Sequence, residues 1–252
     1  MNIYIDDNLN KNNIDIAESF FSTPKHRPFI AISLGSTPPP IEVAVQILKW
    51  SLISHSPIIP ILFADDIATI NYRAFGDSET RAIKEVDKSK RKHFLVWQEA
   101  LNYLEKNEKP RVRFINWKDI LNPDVQEQQN FVREIFNCKG ELYKSILTLV
   151  ESFISSAGKT YTLKRGLIMA EYVIQELPSL IFGIKYDEIN YQMTLYPTYT
   201  SPKEFQNFLV AVIRNPDFKL YFNKYNKNEL EYCKFIHMII SDKNKRNEKN
   251  DI

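Results

Sequence analysis

Two short runs of almost unbroken apolar residues stand out from a chain that elsewhere interleaves apolar and charged positions. Pro28–Gly35 (PFIAISLG) and Pro57–Asp66 (PIIPILFADD) have the length and continuity of strands covered on both faces. Between them, Pro38-Pro39-Pro40 makes a stiff lead-in to an amphipathic helix from Ile41 to about His55, with Val43, Ile47, Leu48 and Leu52 inward. Strand, helix and strand over this length predict a right-handed βαβ unit, whose strand ends form the usual ligand crevice. Ser33 and Asp65/Asp66 fall at that edge. The fold class expected is α/β, a Rossmann-like parallel sheet flanked by helices.

The same pattern continues along the chain. From Ser78, an N-cap, a helix is expected to about Asn107. PRVRFINW (Pro110–Trp117) reads as a third strand, and Asn122–Asn137 and Gly140–Ser156 as two amphipathic helices. A further helix runs through YTLKRGLIMAEY into Tyr172-Val173-Ile174-Gln175-Glu176-Leu177-Pro178, with Leu163, Leu167, Ile168, Ala170 and Val173 on its apolar face. Pro178 is expected to end it just past Glu176. Alternation across Ile189–Thr200 predicts a strand ending at Tyr196-Pro197, then a helix from Ser201 through Arg214 and an apolar run around Tyr232–Ile240. Residues 1–26, rich in Asn and Asp, read as a loosely ordered arm, 27–240 as a single domain, and 241–252 as a disordered basic tail.

With 252 residues and 44% apolar content the chain can bury one substantial core, and its formal net charge is only +2. A polyanion partner would therefore be held by a local patch. One exists in ETRAIKEVDKSKRKHF, where Arg81, Lys84, Lys88 and Arg91 recur on one helix face with Lys90 and Lys92 flanking, while Glu85 and Asp87 sit off the row. Such a row is either a solvated face or a grip on a nucleic-acid backbone; without interleaved aromatics it would hold phosphates and not read bases. The two cysteines, Cys138 and Cys233, show no CxxC spacing and point to a reducing compartment. The four histidines (His26, His55, His93, His237) form no metal-ligand pair, and no window has the length of a membrane span. With no apolar leader either, a cytoplasmic, soluble and monomeric protein is expected, using no metal and no cofactor.

Candidate chemistry is sparse. GxGxxG, GxxxxGK[ST] and GxSxG are all absent, which removes the dinucleotide site, the ordinary P-loop and the hydrolase elbow. Tyr172 and Glu176 are four apart, which stacks a phenol and a carboxylate on one helix face, able to bind an amine and move a proton. Many such pairs only pack. Ser33 at a strand end could equally satisfy a backbone group, and Tyr196 could be a core residue with its hydroxyl at the surface. Asp65 and Asp66 read as caps of a helix beginning at Ile67.

Taken in order, these motifs resemble the tRNA-dependent cyclodipeptide synthases, whose fold is similar to the catalytic domain of class I (Tyr/Trp-type) aminoacyl-tRNA synthetases. Tyr172-Val173-x-x-Glu176-x-Pro178 matches the family's Tyr-aliphatic-x-x-Glu-x-Pro. Ile32-Ser33 matches its Gly-aliphatic-Ser, but with Ala31 in place of Gly and His26 one residue out of register. The basic helix after ADDIATINYRAFGDSETRA also looks like the family's tRNA-holding helix, and the resemblance covers roughly Pro28 to Thr200. With Ser36 where one subgroup has Asn, and with Tyr196-Pro197, the chain resembles the XYP subgroup.

The resemblance implies ping-pong acyl transfer between two aminoacyl-tRNAs. Ser33 takes the first aminoacyl group, a second aminoacyl-tRNA supplies its amine to give a dipeptidyl-enzyme, and cyclisation releases a diketopiperazine. Glu176 would hold and relay protons, Tyr172 position the first amine, Tyr196 orient the intermediate and Ser36 act as a polar positioning group. No base for Ser33 is evident, and the tRNA terminal hydroxyl could serve. Phe29, Ala31 and Phe63, with Pro197 nearby, are the expected pocket lining, and their bulk implies a small first residue, Gly or Ala. Arg81, Lys84, Lys88, Lys90, Arg91 and Lys92 would bind tRNA. The rival readings are a non-catalytic tRNA-binding module and a serine hydrolase of aminoacyl esters.

Overall fold

The computed structural model describes residues 3–5, 27–54, 56–198, 203–218 and 234–239. Six strands form one parallel sheet: β1 (Ile3–Ile5), β2 (Pro28–Ile32), β3 (Ile59–Phe63), β4 (Val112–Asn116), β7 (Met193–Thr198) and β8 (Lys234–Ile239), in the order β1-β8-β7-β2-β3-β4. Strands β2 and β3 lie side by side in parallel, with Ile30 opposite Ile61 and Ala31 opposite Leu62. The helix between them, α1, spans Ile41–Leu52, so the βαβ unit read from the two apolar runs is present. Strand β7 lies on the other side of β2, with Ile30 opposite Leu195. The α/β class, a parallel sheet flanked by helices, is the one expected.

The other helices are α2 (Asp65–Ala74), α3 (Glu79–Ala100), α4 (Pro123–Asn137), α5 (Glu141–Ser156), α6 (Leu163–Phe182) and α7 (Lys203–Arg214). Period-2 alternation divides the sheet's side chains between two cores. Ile30, Ile32, Ile59, Ile61 and Phe63 pack with residues of α1 and α3, whereas Phe29, Leu62 and Ile115 pack with residues of α4, α5 and α6. No helix among the described residues is long and apolar enough to cross a membrane.

Several boundaries differ from expectation. Ser78 is the N-cap of α3, its hydroxyl accepting from the Arg81 amide, but the α-helix stops at Ala100 and tightens into a 3-10 turn, short of Asn107. Pro178 does not end α6, which continues four residues to Phe182. A proline inside a helix costs about 3 kcal/mol. Leu177, Leu180 and Ile181 are all buried, and each such side chain returns about 1.5–3 kcal/mol. Burial therefore outweighs the missing backbone bond. Gly183 stops the helix instead, at φ 81°, where an added Cβ would lie 2.0 Å from the Tyr191 carbonyl oxygen.

The single strand expected over Ile189–Thr200 is split. Ile189–Tyr191 (β6) pairs antiparallel with Ile184–Tyr186 (β5) in a separate hairpin, and Gln192 turns the chain into β7 by donating its amide to the Arg27 carbonyl. Asp65 and Asp66 are not caps. They lie inside the first turn of α2, whose N-cap is Ala64, and Asp65 bridges Lys90 and the Trp117 amide. Within the expected N-terminal arm, Ile3–Ile5 departs from a loose conformation by pairing in parallel with β8. The remainder of that arm, the 241–252 tail, His26, His55 and Cys233 lie outside the described residues.

Candidate active site

Strand β2 leaves the sheet at Ile32 and turns immediately, which presents Ser33 at the C-terminal edge. The turn is closed by Ser36, whose hydroxyl donates to the Ser33 carbonyl at 2.7 Å and whose amide reaches the same oxygen at 3.3 Å. Helix α6 brings Tyr172 and Glu176 over that edge from the opposite side of the crevice. Their one-turn spacing sets the Tyr172 hydroxyl to donate to Glu176 Oε1 at 3.2 Å. Ser33 lies within hydrogen-bonding reach of both the Tyr172 and Tyr196 phenols. Four residues from three separate elements thus meet in one cluster.

Electrostatics follows from enclosure. Burial pushes the Glu176 carboxyl up to about 7, opposed by the hydrogen bond from Tyr172. Burial also raises Tyr172 well above its ordinary value, the Glu176 charge adding to the rise and Ser33 opposing it. Tyr196 goes to about 12 for the same reasons, burial first and Glu176 second. At neutral pH the two phenols remain protonated donors, while Glu176 is divided between its acid and its carboxylate. Such a carboxyl can accept a proton from an ammonium and return it to a leaving oxygen without a large free-energy gap.

Beneath the cluster is a small cavity of about 10 Å³, lined among others by Phe29, Ala31, Leu62, Trp117, Leu180 and Tyr196. That is room for about one water molecule. Phe63, expected here, is not part of it. It sits on the opposite face of the sheet and stacks on Phe114 with ring centroids 6.1 Å apart, because alternation along β3 gives Leu62, its neighbour, the inward direction shared by Ala31. Pro197 lines a second small cavity with Ser33, Ser36 and His93.

A wider cleft of about 240 Å³ opens between the Ser33 turn and α3, lined by Gly35, Ser36, Tyr72, Glu85, Lys88 and Lys92 among others. The basic row of α3 is less free than its spacing implied. Arg81 pairs with Asp77 at 3.1 Å and Lys88 with Glu85 at 3.9 Å, both at the surface. Exposed pairs of this kind are worth at most about 1 kcal/mol and yield readily to a phosphate. Lys84, Arg91 and Lys92 are exposed and make no ion pair among the described residues. Lys90 is different. It points to the inner side of α3 and is held 2.6 Å from Asp65, so it belongs to the packing of the sheet edge and not to the row.

Sequence reading missed Leu62, Trp117, Ser179 and Leu180 in the lining, and Ser89 and His93 beside the Ser33 turn. The strand register would have identified Leu62, since Ala31 pairs with it. For the approach of α3 to the turn, a separation of more than fifty residues left no local signal.

Comparison with known proteins then defines the class. The cyclodipeptide synthase family model matches residues 19–204, well over half of the chain. The chain belongs to the cyclodipeptide synthase family. Among solved structures it is similar to a cyclodipeptide synthase from Bacillus thermoamylovorans, with TM-score 0.60, 20% identity and coverage of 91% of this chain and 92% of that one. It is also similar to AlbC, a cyclodipeptide synthase from Streptomyces noursei (TM-score 0.61, 14% identity, 84% and 95% coverage). A Mycobacterium tuberculosis protein, described as demonstrating that cyclodipeptide synthetases are related to type I tRNA synthetases, aligns with TM-score 0.52, 16% identity and 88% and 87% coverage. At these identities the likeness is one of fold. No curated protein matches the chain in sequence.

Proposed function

We propose that this protein joins the aminoacyl groups of two aminoacyl-tRNAs into a diketopiperazine, through covalent intermediates on Ser33. The observation that carries the reading is the meeting of Ser33, Tyr172, Glu176 and Tyr196 at one strand edge in a member of this family. Ser33 Oγ attacks the ester carbonyl of the first aminoacyl-tRNA, and the terminal tRNA hydroxyl leaves with the serine proton. The amine of the enzyme-bound aminoacyl group then attacks the ester of the second aminoacyl-tRNA and releases its tRNA. This direction replaces the one expected from the resemblance: attack by the second amine on the Ser33 ester would leave the dipeptide on tRNA, not on the enzyme. Finally the dipeptide's free amine attacks the Ser33 ester, closing the ring and regenerating the serine.

Each nucleophilic amine must first lose a proton, and Glu176, pushed up to about 7, is placed to take it and pass it to the departing oxygen. Tyr172 and Tyr196, held protonated, donate to the amine's neighbours and to the ester oxygen. The exposed cations Lys84, Arg91 and Lys92, together with the weakly paired Arg81 and Lys88, hold the acceptor-arm phosphates. Lys90 is left out of this role. The near-closure of the inner cavity by Phe29, Leu62, Trp117 and Leu180 supports a small first residue, Gly or Ala. Within the family we place the chain in the XYP subgroup, on Ser36 and Tyr196-Pro197.

The test is incubation of the purified protein with a pool of charged tRNAs, without ATP, followed by mass spectrometry of small products beside Ser33→Ala. Diketopiperazine masses with wild type and none with Ser33→Ala are expected. Free amino acids alone would instead establish hydrolysis, and salt-sensitive tRNA binding without any turnover would leave a binding module.

A further inference from the structure

The helix that carries the basic row also has an inner side, and two polar side chains there hold the turn that bears Ser33. Ser89 Oγ donates to the Leu34 carbonyl at 2.6 Å, and His93 Nε2 lies 3.0 Å from the Ser36 carbonyl oxygen. A carbonyl only accepts, so this contact requires the imidazole proton on Nε2. Nδ1 is then a bare acceptor, buried and without a partner among the described residues. Burial holds His93 below its ordinary value, with the Ser36 contact opposing, so the ring is neutral.

The arrangement is directional. Ser89 and His93 are one helical turn apart, in a stripe whose other members, Ala82, Val86, Trp97 and Ala100, are apolar and buried. The carbonyls they hold belong to the first and third residues after Ser33, and Ser36 ties back to the Ser33 carbonyl through its hydroxyl and amide. The peptide units following Ser33 are therefore fixed from α3. An apolar pair at 89 and 93 would complete the stripe without an orphaned nitrogen, so packing alone does not account for the polar pair.

We propose that Ser89 and His93 are positioning residues, which hold the Leu34–Ser36 turn so that Ser33 Oγ points toward the phenols and the substrate ester. The inference rests on the proposed acyl transfer at Ser33. One helix then has two duties: its outer side binds tRNA, and its inner side sets the nucleophile. Loss of the inner contacts slows acylation but leaves tRNA affinity alone, which separates them from the basic row.

The experiment compares wild type with Ser89→Ala, His93→Phe (volume kept, donor removed) and His93→Gln (a donor kept within reach). Three quantities are read: the single-turnover rate at which labelled aminoacyl-tRNA acylates the enzyme, the Kd for tRNA, and hydrogen exchange at the Ser36 amide. Acylation by Ser89→Ala and His93→Phe is expected to fall about 10- to 100-fold, the scale of a reacting group displaced by an ångström or less. The Kd should change less than about twofold, because no phosphate contact is touched. His93→Gln should recover most of the rate, and Ser36 exchange should quicken in the two slow variants. Unchanged acylation, a rate loss that tracks tRNA affinity, or a Gln variant no better than Phe would overturn the proposal. If wild type never acylates on Ser33, the functional reading fails, and Ser36 exchange alone then decides positioning. If His93→Phe does not fold, Ser89→Ala carries the same comparison.

Discussion

The two faces of the central sheet are built from the same kind of residue and serve different ends. On the α1/α3 face, Ile30, Ile32, Ile59, Ile61 and Phe63 meet helix stripes that close over them. On the α4–α6 face, Phe29, Ala31 and Leu62 belong to an equally apolar core, but at the strand ends α6 offers Tyr172 and Glu176 in place of two more aliphatics. The first face is packing along the strands, with Ser89 and His93 of α3 its polar exceptions where they meet the Ser33 turn. The second is packing interrupted at one place by polar groups that have mainly one another for partners, and the interruption leaves the small cavity. Enclosure raises Glu176 and both phenols, so the chemistry of the site depends on the apolar wall around it.

Replacing Glu176 by Gln should break the distinction most sharply. Turnover is expected to fall about 10²- to 10⁴-fold, the usual contribution of a placed proton-transfer group; steady-state diketopiperazine formation measures it. Wild-type activity should decline as pH drops below about 7, where the carboxyl is protonated. The stability consequence has the opposite sense. The folded state holds the Glu176 proton up to about pH 7 while the unfolded chain releases it near 4.5, so wild-type stability is lost as pH rises through that window. Glu176→Gln removes the loss, and its Tm should exceed that of wild type above pH 7 and converge with it below about pH 4.5. A Tm difference of the opposite sign at pH 8 would show that the carboxylate is well solvated.

Ile61→Ala acts on the other face. It should cost about 2–5 kcal/mol of stability by denaturant unfolding, with kcat of the folded fraction unchanged, since Ile61 is buried in the α1/α3 core and not in the core that holds Tyr172. A large fall in kcat would mean that the two faces are not independent. The smallest effect is expected from Leu180→Ala, which widens the cavity. The proposed preference for a small first residue should relax by about tenfold, the scale set by a few methylenes in an apolar pocket. Competition between charged tRNAs, read as product ratios, measures it; an unchanged ratio would place the first side chain elsewhere.

How much of this was legible beforehand depends on distance along the chain. The elements of the βαβ unit, α4, α5 and the pairing of Tyr172 with Glu176 rest on patterns within a turn or a strand, and periodicity exposes those. The end of α6 was misread, because Pro178 is a local signal and the burial of Leu177, Leu180 and Ile181 that overrides it is not. Phe63 was misplaced for a related reason: which face a strand residue takes depends on its neighbour's register. The sequence by itself determined the parallel α/β class, the Ser33 strand end and the Tyr-x-x-x-Glu spacing, all products of backbone periodicity and of residues close in the chain. Only the tertiary structure decided that Lys90 serves Asp65, that Leu62 lines the cavity and that Ser89 and His93 reach the Ser33 turn. Those contacts join residues twenty-five or more positions apart, and which of many chemically equivalent partners meet is set by how the elements pack.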